Sequence, residues 1–174
     1  MAELKRSDEH KTFSDIALLL AERKEALKRF CVRNNVYFDK YPDKAIREHL
    51  LYHLREAEYD ASLSLLAAIE AAFRLDFQYR HKKRRKDVRS KAIRRMSEWP
   101  RGSLDYRIPI NRLFDLLTLD GSAPNRTINL LKTYFRYRHW LAHGRYWQLN
   151  LGMRRPAFSD IYQLAQTIEN VLLH

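Results

Sequence analysis

Apolar residues recur every three or four positions along most of the chain, the spacing that places side chains on one face of an α-helix. No segment alternates apolar and polar residues in the manner of a strand. The predicted fold class is therefore an all-α, single-domain helical bundle. The helices are expected at residues 13–34, 41–80, 81–99, 108–120, 125–143 and 159–174.

The second of these segments is the longest stretch without a helix breaker. After Pro42 and Asp43, neither Gly nor Pro occurs through Arg80. An uninterrupted helix of that length is unusual in a small domain. The sequence therefore predicts either one long central helix or two helices joined by a bend.

Several residues at the segment ends are typical of helix termini. Ser14 or Asp15 is the predicted cap of the first helix, and Ser159 or Asp160 that of the last. Gly144 is predicted to end the fifth helix, because glycine readily adopts the left-handed conformation found there. The positions predicted to face the core are Ile16, Leu19, Leu20, Leu27 and Phe30 in the first helix, Leu113, Leu116 and Leu117 in the fourth, and Ile161, Leu164, Ile168, Val171 and Leu172 in the sixth.

Composition supports a helical protein of one domain. The 174 residues are 45% hydrophobic and include only 4 Gly and 5 Pro, which leaves little material for tight turns. Cys31 is the single cysteine, so no internal disulfide can form. The N-terminus is polar, and no apolar run approaches the ~20 residues of a membrane-spanning helix. We expect a cytoplasmic protein without a membrane-spanning segment.

Charge suggests the kind of partner. Lys and Arg number 33 against 21 for Asp and Glu, a formal net charge of +12. Such an excess favours a polyanionic partner, nucleic acid rather than an anionic membrane. The alternative is a soluble protein whose positive charge has no role in binding a partner.

The positive charge is densest at residues 81–95, which contain nine Lys or Arg and a single acid, Asp87. Val88, Ala92, Ile93 and Met96 form a narrow apolar stripe on what is predicted to be a basic helix over 82–95. These cations could form a solvated face, but contact with RNA phosphates explains their number better. The predicted RNA-binding residues are Lys82, Lys83, Arg84, Arg85, Arg94, Arg95, Arg145 and Tyr146.

The end of the fifth segment, Arg138-His-Trp-Leu-Ala-His143, concentrates groups that can do chemistry. His139 and His143 are four residues apart and share a helical face, whereas Arg138 and His143 differ by about 140° around the helix. One interpretation is a helix end where cations suit the helix dipole and Trp140 packs in the core. A second is metal binding, although the sequence lacks the glutamate and third ligand of a zinc motif. A third is a nuclease pair in which an arginine holds phosphate and a histidine moves a proton.

This stretch resembles the R-x-x-x-x-H motif of the HEPN superfamily, whose domains are small helical bundles with the motif near the end of a late helix. The likeness covers the chain from about Asp15 to Leu173, and position 139 carries His where such motifs more often have Asn or Asp. The resemblance implies a metal-independent endoribonuclease without a cofactor, acting as a homodimer in which two motifs face each other. It also implies a toxin–antitoxin or phage-defence setting, with an antitoxin or regulatory protein as a further partner.

Roles for the motif residues follow from phosphodiester chemistry. His143 is expected to take the proton of a ribose 2′-OH or to protonate the leaving 5′ oxygen, because histidine is the side chain most often used for proton transfer near neutral pH. Arg138 is expected to stabilise the charge on the phosphorane, and His139 to position the phosphate or to serve as a second acid. Two further functions stay open. The chain could be a non-catalytic RNA- or DNA-binding module, or a helical adaptor for a protein partner.

Glu70 stands out because it is the only charged residue between Ala61 and Phe73. A carboxylate in so apolar a helix is costly to bury without a partner. Two roles are open: Glu70 orients Arg138 or a histidine of the site, or it pairs with Arg74 one turn away. Near the motif, Trp140, Tyr146 and Trp147 could stack on unpaired bases or pack in the core.

Overall fold

The computed structural model of the protein describes residues 9–83, 85–97 and 108–172, and within these ranges the regular elements are all helical. The all-α fold class is confirmed for this part of the chain. No helix in the described ranges is both long and apolar enough to cross a membrane. The elements are α1 (Phe13–Phe30), a short 3-10 turn (Val36–Phe38), α2 (Asp43–Lys83), α3 (Val88–Ser97), α4 (Ile110–Leu119), α5 (Asn125–Ala142) and α6 (Phe158–Leu172).

Helix α2 is the element on which the others are arranged. It runs for 41 residues without interruption, about 60 Å at 1.5 Å per residue, so one long helix is the correct alternative. Helix α1 lies antiparallel to it, with Arg23 Nη1 2.8 Å from Asp60 Oδ2 and Lys24 paired with Glu58. Helices α5 and α6 also pack on α2.

The main core is formed where α2, α4, α5 and α6 meet. Phe114 packs edge-on against Phe73 and Phe135, with ring centroids 4.9 Å and 4.8 Å apart. The helix faces predicted from periodicity supply much of this core, and in α4 all three predicted leucines are buried. The buried side chains include Leu65, Leu66, Ile69, Leu113, Leu116, Leu117, Leu131, Ile161, Leu164 and Ile168.

Two details of α1 correct the sequence prediction. Thr12 is the N-cap, and its side chain and Asp15 bond reciprocally to each other's backbone N–H groups, so Ser14 lies inside the helix. Ile16 and Leu20 are buried as predicted, but Leu19 is 45% exposed and Phe30 43% exposed. The reason is that α1 packs on α2 and α6 along one narrow face and has solvent on the other.

Helix α6 begins at Phe158, one residue earlier than predicted. Asp160 therefore caps from within the first turn, where its Oδ2 accepts the Ala157 N–H at 2.8 Å. The predicted stripe is confirmed at its centre and is only partly buried at Val171 and Leu172.

The predicted basic helix over 82–95 is wrong as a single element. Helix α2 ends at Lys83 and α3 begins at Val88. Asp87 accounts for the new start, because its carboxylate accepts the backbone N–H and the hydroxyl of Ser90 at 2.9 Å and 2.8 Å. The predicted apolar stripe is wrong at Val88, which is 54% exposed, whereas Ile93 is fully buried.

A buried polar network fastens this corner to the rest of the protein. Arg80 Nε lies 2.8 Å from Asp76 Oδ1. Arg89 donates to Asp120 and to Ser122, each at 2.6 Å. Arg89 is only 3% exposed, so one of the nine cations counted for RNA binding is structural instead. Burial raises the pKa of Asp76 in spite of its two arginine neighbours.

Candidate functional site

Helix α5 ends in a tight reversal built on Gly144. Gly144 has φ +73° and donates to Leu141 O at 3.3 Å, while Arg145 donates to Trp140 O at 3.1 Å. These two hydrogen bonds define a Schellman motif, in which glycine takes the left-handed position after the C-cap, His143. The predicted stop at Gly144 is therefore confirmed, and the reversal folds residues 145–147 back towards the helix.

The reversal brings the two motif histidines against an indole ring. His139 and His143 have ring centroids 4.2 Å apart, and Trp147 lies 5.7 Å from the first and 6.2 Å from the second. All three side chains are exposed. We call this cluster the imidazole site. Two adjacent imidazoles on an open surface can both reach one bound phosphodiester.

Arg138 is held away from that cluster by a carboxylate. Its Nη2 lies 3.1 Å from Glu70 Oε2, while Arg74 Nη2 donates to Glu70 Oε1 at 2.7 Å. Both roles considered for Glu70 are thus present together, because each carboxylate oxygen serves a different arginine. The Arg138 side chain is 33% exposed, and its buried Nε has no hydrogen-bond partner among the described residues.

The geometry therefore separates the arginine of the motif from its histidines within one protomer. In the described part of the chain, no hydrogen bond joins Arg138 to His139 or His143, whose rings contact each other and Trp147. The approximately 140° between positions 138 and 143 accounts for this. The structure brings the predicted catalytic residues together as a histidine pair and a separate Arg138–Glu70 pair.

The remaining aromatic residues near the motif have different environments. Trp140 is buried, and its Nε1 donates to Trp147 O at 2.7 Å, so it belongs to the core and supports the reversal. Tyr146 is 92% exposed, and Trp147 is 45% exposed. Of the three rings, Tyr146 and Trp147 are accessible to a base.

Arg145, predicted to contact RNA, is engaged by α2. Its guanidinium makes a bidentate contact with Glu56, at 2.7 Å and 2.9 Å, and lies over the Tyr59 ring at 4.9 Å. The hydrogen bonds that Arg145 donates to Glu56 raise the pKa of Arg145 above its ordinary value. Arg145 also has φ +63°, a strained backbone for a residue with a side chain. It therefore fixes the reversal to α2, and it is not among the residues proposed to contact RNA.

The other predicted RNA-binding cations lie far from the imidazole site. Lys82 and Lys83 end α2, about 40 Å along the helix from Glu56, which contacts Arg145. Arg85 and Arg95 are exposed, and Arg94 donates to Arg85 O at 2.9 Å. Arg84 lies outside the described residues. No group of three or more metal-ligating side chains is found within the described ranges.

Comparisons of the chain with protein-family models, with curated proteins and with solved structures found no match.

A second pair of neighbouring histidines, on α2, was not predicted from the sequence. His49 and His53 on α2 repeat the four-residue spacing of the motif histidines, and their ring centroids are 4.3 Å apart. Tyr37, Tyr41 and Tyr52 surround them and are exposed. The spacing of the two histidines is visible in the sequence, but the convergence of the tyrosines depends on the turn between α1 and α2.

Proposed function

We propose that the protein is a metal-independent endoribonuclease of HEPN type, a single helical domain that cleaves RNA at the imidazole site. The observation that carries the proposal is the pair of exposed imidazoles, with centroids 4.2 Å apart, on the last turn of α5. The net charge of +12 and the R-x-x-x-x-H spacing of residues 138–143 support it.

The proposed reaction uses one imidazole as base and the other as acid. His143 removes the proton of the ribose 2′-OH, and the 2′ oxygen attacks the adjacent phosphorus. The bond to the 5′ oxygen breaks as His139 protonates that leaving group. The products are a 2′,3′-cyclic phosphate and a 5′-OH, and no redox partner or added group is required.

The third residue of the proposed mechanism is Arg138. Its guanidinium stabilises the negative charge that develops on the phosphorane. Glu70 holds the side chain in place, so Arg138 is ordered before RNA binds and loses little conformational freedom on binding. Because Arg138 and the histidines are separated in one protomer, a two-fold dimer is expected to set Arg138 of one copy opposite the imidazole site of the other.

The engagement of Arg138 by Glu70 also favours a second function. A guanidinium that is paired with a carboxylate contacts a phosphate less strongly than an unpaired one. The same surface could therefore serve a non-catalytic RNA-binding module. We propose cleavage first, because simple binding does not require two adjacent exposed imidazoles.

The test is cleavage of a labelled RNA in excess chelator, beside the same oligonucleotide with 2′-deoxyribose at the cleaved position. We expect the RNA to yield a 2′,3′-cyclic phosphate and a 5′-OH, and the deoxy substrate to bind but remain intact. Cleavage of the deoxy substrate, or loss of all cleavage with the chelator, would rule out the proposed reaction. Binding of both without cleavage would establish the second function instead.

A further inference from the structure

A continuous row of ring contacts runs across the surface where α1 turns into α2. The rings of Tyr41 and Tyr37 are nearly parallel with centroids 6.4 Å apart, and Tyr37 lies 6.4 Å from His49. His49 contacts His53 at 4.3 Å, and His53 contacts Tyr52 at 5.3 Å. We call Tyr37, Tyr41 and Tyr52 the tyrosine surface.

These tyrosines are not core residues that happen to reach the surface. Tyr37 and Tyr52 are each 57% exposed and Tyr41 is 47% exposed, whereas Phe38 beneath them is almost completely buried. Phe38 holds the turn in place through edge-on contacts with Tyr37 and Tyr41 at 4.9 Å and 5.8 Å. The rings are therefore ordered by their neighbours while a large part of each remains accessible.

The charge around the tyrosine surface is positive once ion pairs are considered. Three of the nearby carboxylates are occupied, Asp43 by Arg33 at 3.6 Å, Glu48 by Lys44 at 3.9 Å and Glu56 by Arg145 at 2.7 Å. Among the exposed residues beside these tyrosines, two cations and one acid make no ion pair within the described residues. The cations are Lys40, between Tyr37 and Tyr41 in the chain, and Arg55, within one helical turn of Tyr52, and the acid is Asp39.

The tyrosine surface is also close to the imidazole site. Arg145, two residues beyond His143, makes its ion pair with Glu56, one helical turn from Tyr52 on α2. The tyrosine surface thus begins where the reversal after α5 contacts α2 and continues towards the N-terminus of α2.

We propose that the tyrosine surface binds single-stranded RNA by stacking unpaired bases on Tyr37, Tyr41 and Tyr52, with Lys40 and Arg55 in reach of the phosphates. This inference rests on the proposed function, because it names the substrate of the imidazole site as single-stranded. Ordered aromatic rings combined with unpaired cations are the features with which proteins hold single strands irrespective of sequence. A duplex, whose bases are already stacked, cannot use the rings.

A protein partner is the competing occupant of an exposed aromatic surface. The excess of unpaired cations argues for RNA, because contacts of cations with phosphates supply much of the affinity for a single strand whatever its sequence. The two occupants give different results in one experiment, because only RNA binding depends on ring stacking and on strandedness.

The experiment measures binding of a 2′-O-methyl oligonucleotide, which has no free 2′-OH and cannot be cleaved by the proposed reaction. Fluorescence anisotropy would be recorded for single-stranded and duplex forms with the wild type and with Tyr37→Ala, Tyr41→Ala and Tyr52→Ala. We expect each variant to lose about fivefold or more in single-strand affinity, the scale of one lost stacking contact, with little change for the duplex. Tyr→Phe at the same positions should keep the affinity, because stacking uses the ring and not the hydroxyl.

Tyr79→Ala is the matched control, because Tyr79 is also an exposed tyrosine of α2 but lies about 40 Å from Tyr52 along the helix. Far-UV circular dichroism would show that each variant is folded. Unchanged single-strand affinity in all three alanine variants would overturn the inference, as would an equal loss for duplex RNA. A change in sedimentation without a change in RNA affinity would assign the surface to a protein contact.

The inference and the proposed function fail in different ways. If the wild type binds the oligonucleotide through the tyrosines but does not cleave unmodified RNA, the stacking surface stands and catalysis is rejected. If the wild type cleaves RNA and the alanine variants bind it normally, only the stacking surface is rejected. If the wild type binds no RNA at low salt, both are rejected.

Discussion

At the scale of single residues, the position of each side chain in the candidate site is determined by which arginine pairs with which carboxylate oxygen. Glu70 serves Arg74 through one oxygen and Arg138 through the other, so the arginine of the motif is fixed without contacting the histidines. The imidazoles, by contrast, face solvent beside Trp147. This division suits a reaction in which a fixed positive charge and mobile protons act on the same phosphate.

Arg138→Ala should leave the fold intact and reduce RNA cleavage. The Glu70–Arg74 pair remains, and partly exposed ion pairs contribute little, so we expect a loss of less than about 1 kcal/mol in unfolding free energy. The cleavage rate should fall by roughly 10²-fold, the scale of losing a charge that stabilises a transition state. Initial rates and urea unfolding would be compared with those of Arg136→Ala, an exposed arginine of the same helix. An equal effect of both substitutions would contradict the role of Arg138.

Gly144→Ala should affect both stability and activity. Its φ of +73° is strained for alanine, and a Cβ would lie 2.9 Å from the ring of Tyr146. Gly121→Ala is the control, because it has the same φ with open space around it at the end of α4. Thermal unfolding should show a loss of about 1–2 kcal/mol in each. Only Gly144→Ala should lower RNA cleavage, since this reversal positions Trp147. Normal cleavage by Gly144→Ala would show that the activity of the imidazole site does not depend on the reversal after α5.

At the scale of secondary structure, the periodicity of apolar residues was sufficient to predict most of the helices. It failed where polar contacts between side chains determine where a helix begins or ends. The apolar stripes of α4 and α6 were predictable because both helices bury one broad face. The break between α2 and α3 was not, because it depends on the Asp87 cap and on burial of Arg89, a residue that resembles its exposed neighbours in the sequence. The pairing of Arg138 with Glu70 required the packing of α5 on α2, although the isolation of Glu70 in an apolar stretch was a usable signal.

The network that joins α3 to the end of α4 should make stability depend on pH. Burial alone would raise the pKa of Asp120, but hydrogen bonds from Arg89 and Ser122 outweigh it and hold that pKa below its ordinary value. Asp120 therefore stabilises the fold fully above its ordinary pKa of 3.8, and this contribution is lost as the pH falls through the lower value. Asp120→Asn should cost roughly 3 kcal/mol near neutral pH, because it leaves the buried Arg89 with only the more distant carboxylate of Asp76, at 3.5 Å.

Urea unfolding at several pH values measures this directly. Between neutral pH and pH 3, the wild type should lose more stability than Asp120→Asn. Asp115→Asn on the same helix is the matched control, since its pair with Lys132 is exposed and should contribute less than about 1 kcal/mol. Parallel pH profiles for the wild type and Asp120→Asn would contradict the role of this network.

At the scale of the whole molecule, the described cations of residues 82–95 lie at and beyond the C-terminal end of α2, whereas the imidazole site lies beside the middle of that helix, next to the residues that pair with Glu56 and Glu70. We expect this basic segment to bind RNA only when the strand is long enough to reach it from the site. Alanine substitution of Lys83, Lys86, Lys91 and Arg95 should flatten the salt dependence of binding by up to about 0.7 log–log units per lost phosphate contact. An oligomer of about six nucleotides should show no such change, whereas a strand several times longer should. An equal change in salt dependence for the short and the long oligonucleotide would show that the basic segment contacts RNA directly beside the imidazole site.

The proposed cleavage reaction depends most directly on the two histidines at the end of α5. The decisive measurement is the initial rate of RNA cleavage, at saturating RNA and in excess chelator, for the wild type, His139→Ala and His143→Ala. His81→Ala, on the far end of α2, is the control. We predict that each substitution in the imidazole site lowers the rate by roughly 10²-fold or more, the scale of losing a positioned proton-transfer group, while the control cleaves normally. Cleavage at the wild-type rate by His143→Ala would show that the imidazole site does not carry out the reaction.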